Sequence, residues 1–136
     1  MAAKLKLEMV TPYKQVLSEE VDELTLPGLV GELGILPGHT PILTTLRVGE
    51  LSYKIGQQQF HVAVNWGYVE VDDDVVTVLV DTAERSDEID LARARAALGR
   101  AEDALKTLSE EDKSYKVMEA ALQRAMIRIQ VAGKKK

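Results

Sequence analysis

Val75-Val76-Thr77-Val78-Leu79-Val80-Asp81-Thr82-Ala83-Glu84-Arg85-Ser86-Asp87-Glu88-Ile89-Asp90-Leu91-Ala92-Arg93-Ala94 is where the hydrophobic period of the chain changes. Val75 to Val80 is a β-branched apolar run, the pattern of a strand whose neighbours bury both faces. Beyond Asp87 the apolar residues recur three and four apart, the period of a helix. The charge changes at the same place. Residues 1–86 carry 6 Lys+Arg against 13 Asp+Glu, net -7, whereas residues 87–136 carry 11 against 9, net +2. The chain therefore reads as two segments, 1–86 and 87–136, joined near Thr82–Asp87.

Upstream of the junction the chain reads as strands. Leu5, Leu7 and Met9 alternate with Lys4, Lys6 and Glu8, the period of a half-buried strand. The same alternation recurs at Leu51, Tyr53 and Ile55, at Phe60, Val62 and Val64, and at Val69 and Val71. Turn signals separate these runs: Thr11-Pro12, Pro27-Gly28, Pro37-Gly38, Gly56-Gln57, Gly67 and Asp72-Asp73-Asp74. Short strands punctuated in this way imply an antiparallel sandwich or barrel. Periodicity alone does not choose between the two.

Downstream the pattern is that of an antiparallel helical hairpin. Leu91, Ala94, Leu98, Ala101, Leu105 and Leu108 mark one seam between Asp87 and Leu108. Tyr115, Met118, Leu122, Ala125 and Ile129 mark another between Ser114 and Val131. Asp87, Glu88 and Asp90 are expected in the first helical turn, where acids favour the helix dipole. Ser109 with Asp112 resembles a capping box for the second helix. Lys134, Lys135 and Lys136 follow that helix, also with the dipole. Both seams are thin, because Ala fills many positions, and Gly99 inside the first helix costs about 1 kcal/mol relative to Ala. Two readings stay open: a static lid on the sheet, and an element that detaches and binds elsewhere.

Composition limits the chemistry. The 136 residues include no Cys and two His, so thiol nucleophiles, disulfides and thiolate metal sites are excluded. A net charge of -5 argues against a nucleic-acid partner. No run of about 18 apolar residues offers a membrane-spanning helix, and no secretory leader is expected at the start. His39 and His61 lack a companion ligand at metal spacing, and His61 reads as a solvated strand residue. The glycines of Pro27-Gly28-Leu29-Val30-Gly31-Glu32-Leu33-Gly34 fit neither a dinucleotide nor a phosphate-loop pattern. Asp72-Asp73-Asp74 lacks the spacing of a calcium loop and reads as a hairpin turn. The tail holds a richer group: Asp90, Arg93 and Arg100 near one face of the first helix, and Arg124 and Arg128 four apart on the second. An antiparallel hairpin would bring the Arg100 and Arg124 regions together, with guanidinium forks suited to phosphate oxygens. The competing reading is a solvated basic face with local ion pairs.

The block Gly31-Glu32-Leu33-Gly34-Ile35-Leu36-Pro37-Gly38-His39-Thr40-Pro41-Ile42-Leu43-Thr44-Thr45-Leu46 closely resembles the signature block of the ε-subunit family of bacterial F-type ATP synthases. Val10-Thr11-Pro12, Val48-Gly49-Glu50-Leu51 and Val78-Leu79-Val80-Asp81-Thr82-Ala83-Glu84 resemble the same family. So does Ile89-Asp90-Leu91-Ala92-Arg93-Ala94, followed by Arg100-Ala101-Glu102. The resemblance runs in order over nearly the whole chain. It implies a β-sandwich of ten strands followed by a helix–turn–helix, in a subunit that is not itself an enzyme.

Such a subunit is expected on the central stalk, bound to the γ subunit and resting on the c-subunit ring. It couples proton flow to rotary ATP synthesis. Its hairpin is expected to extend into the catalytic head of α and β subunits and inhibit ATP hydrolysis. It would sit peripherally at the cytoplasmic face of the bacterial plasma membrane, reaching the membrane only through the complex. By the same resemblance Glu32 and His39 face the rotor ring, while Lys116, Arg124 and Arg128 meet the catalytic head. No cofactor is required, and ATP is implied as a regulatory ligand in some members. Glu84, Ile89, Asp90, Arg93, Ala94, Arg100, Arg124 and Arg128 match the ATP-binding pattern of those members, and Val117 after Lys116 departs from it.

Overall fold

A computed structural model describes residues 3–134. Eight strands precede two helices: β1 (Leu5–Val10), β2 (Gln15–Val21), β3 (Glu23–Pro27), β4 (Glu32–Ile35), β5 (Ile42–Leu46), β6 (Gly49–Ile55), β7 (Gln58–Asp72) and β8 (Val75–Arg85). A 3-10 turn at Ser86–Glu88 leads to α1 (Leu91–Thr107) and α2 (Lys113–Ala132). The alternation read in the sequence is the alternation of burial. Leu5, Leu7 and Met9 are fully enclosed, while Lys4 and Lys6 are exposed.

The strands join in the order β2-β1-β8-β7-β6-β3-β4, with β5 also paired to β7. This hydrogen-bonded path ends at β2 and β4 rather than closing into a barrel. The sheet instead doubles over. The Tyr53 hydroxyl on β6 donates to Glu19 on β2 at 3.4 Å, although β2 and β6 lie far apart in sheet order. A single apolar core draws on every strand and on neither helix. In it Tyr53 stacks on Phe60 with ring centroids 5.0 Å apart. Burial, with the Glu19 charge nearby, pushes the Tyr53 hydroxyl up to about 12.

Two expectations need correction. The pairing is not wholly antiparallel, since β1 runs parallel to β8. These strands come from opposite ends of the sandwich sequence, so no tight turn dictates their relative direction. The described residues also form eight strands rather than ten, because β7 and β8 are long and continuous. One half of β7 pairs with β6 and the other with β5, in a single register interrupted at Arg47–Val48. The change falls at Trp66 (φ 40°) and Gly67, where a Cβ on Gly67 would land in the Leu79 carbonyl. The Asp72-Asp73-Asp74 hairpin is present, with Asp73 and Asp74 both at positive φ, as the twist of a two-residue turn demands.

The helices pair as expected, with Ala94, Ala101 and Ala125 buried and the larger seam residues half-buried. Their starts differ from the sequence reading. Asp87 and Glu88 lie in the 3-10 turn, where a Glu88 carboxylate oxygen accepts from the Arg85 amide at 3.1 Å. Extended backbone at Ile89 and Asp90 then breaks the helical path. Asp90 caps α1 by accepting from the Arg93 amide at 3.1 Å, satisfying a donor the helix cannot. Asp112, not Ser109, caps α2, through the Ser114 amide at 2.9 Å. Ser109 serves the interhelical turn by accepting from the Glu111 amide at 3.3 Å. A carboxylate next to the helix start takes the cap and leaves the more distant hydroxyl to the turn.

Candidate functional site

The hairpin is seated through α2, which packs on β6, β7, β8 and the 3-10 turn, while α1 packs on α2. Side chains alternate across a strand, so Leu51, Val62 and Val64 point to the core, whereas Glu50, His61, Ala63 and Asn65 point to the face under α2. The register places Glu50 opposite Ala63 and Ala63 opposite Glu84. One row across three strands therefore reads acid, small residue, acid, and Ala63 is buried beneath the helix.

Each acid receives donors from α2 or from the residue just past its cap. Arg128 pairs with Glu84: its Nε lies 2.7 Å from Oε1 as an ion contact without hydrogen-bond alignment, and its Nη2 donates to Oε2 at 3.2 Å. Glu50 Oε1 accepts from Gln130 Nε2 at 2.9 Å and from Lys134 Nζ at 2.8 Å. Glu50 Oε2 lies 2.7 Å from His61 Nδ1. Burial alone would raise the Glu50 carboxyl, but the hydrogen bonds from Lys134, Gln130 and His61 outweigh it and hold the group below the usual carboxylate range. His61 is thus no solvated residue, its side chain being 15% exposed. The strand period does place His61 on the outward face, but α2 covers that face at this point.

Beside this row lies a cavity of about 30 Å³ lined by Ala63, Asn65, Thr82, Glu84, Arg124 and Arg128, among others. It has room for a water but not for a nucleotide, and the buried Asn65 Oδ1 has no hydrogen-bond partner there. Of the residues matched to an ATP site, Glu84, Arg124 and Arg128 converge on this cavity. Ile89 is half-buried in the linker, Asp90 caps α1, and Ala94 is enclosed in the helical seam. Arg93 and Arg100 stand exposed on α1. Seven residues separate them, about 10 Å along the helix.

Lys116 is exposed in the first turn of α2. Glu32 opens β4 and is exposed, near Leu29 and Val30, which are exposed too. His39, in the β4–β5 loop, places Nδ1 2.6 Å from the Thr40 carbonyl. The Gly38 amide donates to Asp74 at 2.7 Å and ties that loop to the β7–β8 turn. Among the described residues no cluster of His, Asp and Glu could hold a metal, and no helix is long and apolar enough to cross a membrane.

Glu50, His61 and Gln130 are the residues that sequence reasoning missed as a site. The available signal was parity, since Glu50 and His61 both fall on the polar side of their strands. Parity does not reveal the register that makes them neighbours, nor the helix that covers them.

Residues 4–86 match the family described as ATP synthase, Delta/Epsilon chain, beta-sandwich domain. Residues 87–133 match ATP synthase, Delta/Epsilon chain, long alpha-helix domain. The chain is 71% identical over 134 residues to an ATP synthase epsilon chain of Geobacter metallireducens, covering 98% of this chain and 97% of the relative. It is 69% identical, with the same coverage, to that of Geobacter sulfurreducens. The structure resembles a chain in the Euglena gracilis mitochondrial ATP synthase OSCP/F1/c-ring assembly, with a TM-score of 0.81 and 25% identity over 97% of this chain and 82% of that one. A chain of the Tetrahymena thermophila central stalk/c-ring shares the fold at a TM-score of 0.61 and 14% identity, over 96% and 97% of the two chains. With the strand-rich and helical segments both matched, in order and nearly end to end, the chain belongs to the ATP synthase delta/epsilon family, among the bacterial epsilon chains.

Proposed function

We propose that the chain is a non-catalytic central-stalk subunit that couples proton translocation to rotary ATP synthesis and restrains ATP hydrolysis through a mobile helical hairpin. The observation that carries this reading is the division of the apolar core. The core of the sandwich takes no residue from α1 or α2, so the sandwich keeps its main stabilising burial when the hairpin leaves. The hairpin holds its seat by small side chains and a few polar contacts, which water can replace.

In this reading the sandwich binds the γ subunit and the c-subunit ring, with Glu32 and His39 at the ring. The extended hairpin reaches the α and β subunits through Lys116, Arg124 and Arg128. The chain lies at the cytoplasmic face of the plasma membrane only through the complex. ATP acts as a regulatory ligand of the compact form, taking Ile89 and Asp90 at the adenine and Arg93, Arg100, Arg124 and Arg128 at the phosphates. Binding there requires Arg128 to share or leave Glu84 and the small cavity to open.

Deleting residues 88–136 tests the division of labour. Retained γ binding with relieved ATPase inhibition is expected, and loss of γ binding would show the interface to be misplaced. Calorimetry tests the ligand. Arg93→Ala with Arg128→Ala should weaken ATP binding to the full chain, and an unchanged affinity would remove the guanidinium site. A chain that binds ATP yet ignores γ would be a stand-alone nucleotide sensor instead.

A further inference from the structure

We infer that Glu50 is the latch of the hairpin: one carboxylate on β6 that gathers the end of α2 through Gln130 and Lys134 and so sets how readily the helices leave the sheet. The inference rests on the mobile hairpin proposed above and adds the contact that governs it.

Three features set Glu50 apart. Its two donors from the tail, Gln130 in the last turn of α2 and Lys134 just past the Gly133 cap, both reach the same oxygen, at 2.9 and 2.8 Å. Its side chain is only 14% exposed, so these charge-assisted bonds are less screened than a surface pair. Its other oxygen faces His61, which belongs to the sheet and stays when α2 departs. The carboxylate therefore keeps that partner in the open state, where the departure of α2 also returns it to solvent. Glu84 at the other end of the row is a weaker hold. It pairs with Arg128 alone among α2 residues, and about a third of each side chain is exposed.

The test is hydrogen exchange on the full chain, comparing amides near the end of α2 with those of β7 and β8. Glu50→Gln preserves shape and removes charge, and about tenfold faster exchange of the α2 amides is expected, with β7 and β8 unchanged. Lys134→Met keeps the apolar stem, lies beyond the helix and leaves the sheet untouched, so it reads the latch even if Glu50→Gln disturbs β6. The double variant should show less than the product of the single effects, because both remove one interaction. Unchanged α2 exchange in Glu50→Gln, or single effects that simply multiply, would overturn the latch while leaving a mobile hairpin in place. Exchange of wild-type α2 at the rate of β7 would instead show that no separate opening exists, and both readings would fall.

Discussion

Val131→Ala is the substitution that most directly weighs the seat of the hairpin. Val131 is fully enclosed in the last turn of α2, and it follows Arg124, Ile127 and Arg128 at helical spacing, on the side that meets the sheet. Removing two methyl groups withdraws about 1.6 kcal/mol of transfer free energy, and the residual cavity brings the loss to about 2 kcal/mol. Alanine is the better helix former by about 0.5 kcal/mol, which offsets part of that loss when opening also melts the helix. The net, about 1.5 kcal/mol, corresponds to about a tenfold larger open population. Hydrogen exchange followed by mass spectrometry should therefore show α2 amides exchanging about tenfold faster while β7 and β8 keep their protection. Equal acceleration in both regions would refute the reasoning, because sandwich and hairpin would then open as one unit. No change in α2 would show that Val131 is not part of the seat.

Gly99→Ala should stabilise α1 by about 1 kcal/mol, since an added Cβ meets nothing within 4 Å; a higher thermal midpoint for loss of helical circular dichroism is the readout. Gly67→Ala should act oppositely and elsewhere, destabilising the sandwich by about 3 kcal/mol, because the new Cβ collides with backbone at Leu79; urea titration followed by Trp66 fluorescence would register it. Acidification should loosen the hairpin. The Glu50 carboxyl is held below its ordinary 4.5 by Lys134, Gln130 and His61 against the upward push of burial. Its contribution is therefore complete above 4.5 and is lost as pH falls through the lower, docked value. Protection of α2 measured from pH 6 to pH 3 should decline through that window, and the decline should be shallower in Glu50→Gln.

Much of the architecture was legible in the chain itself, for reasons that are local. Leu5, Leu7 and Met9 must share one side of a strand whatever surrounds them, and Leu91, Ala94, Leu98 and Ala101 must share one side of a helix. The paired aspartates Asp73 and Asp74 suit a tight turn without help from distant residues. The helix starts were less legible, because Asp87, Glu88 and Asp90 all suit a helix N-terminus. Only the extended backbone at Ile89 and Asp90 decides that the cap is Asp90.

What the tertiary structure alone decided concerns residues remote in sequence. The parallel pairing of β1 with β8 joins strands about seventy residues apart, beyond the reach of any turn rule. The burial of His61 depends on α2 lying over β7, and a strand period records only which side a residue faces, not what covers that side. Glu50 lies some eighty residues from Gln130 and Lys134, and their meeting follows from the β6–β7–β8 register together with the docking of α2. Periodicity is set by the geometry of the nearby backbone, so sequence carries it. Adjacency across elements is set by how whole faces are buried against one another, and that is determined only when the complete chain has folded.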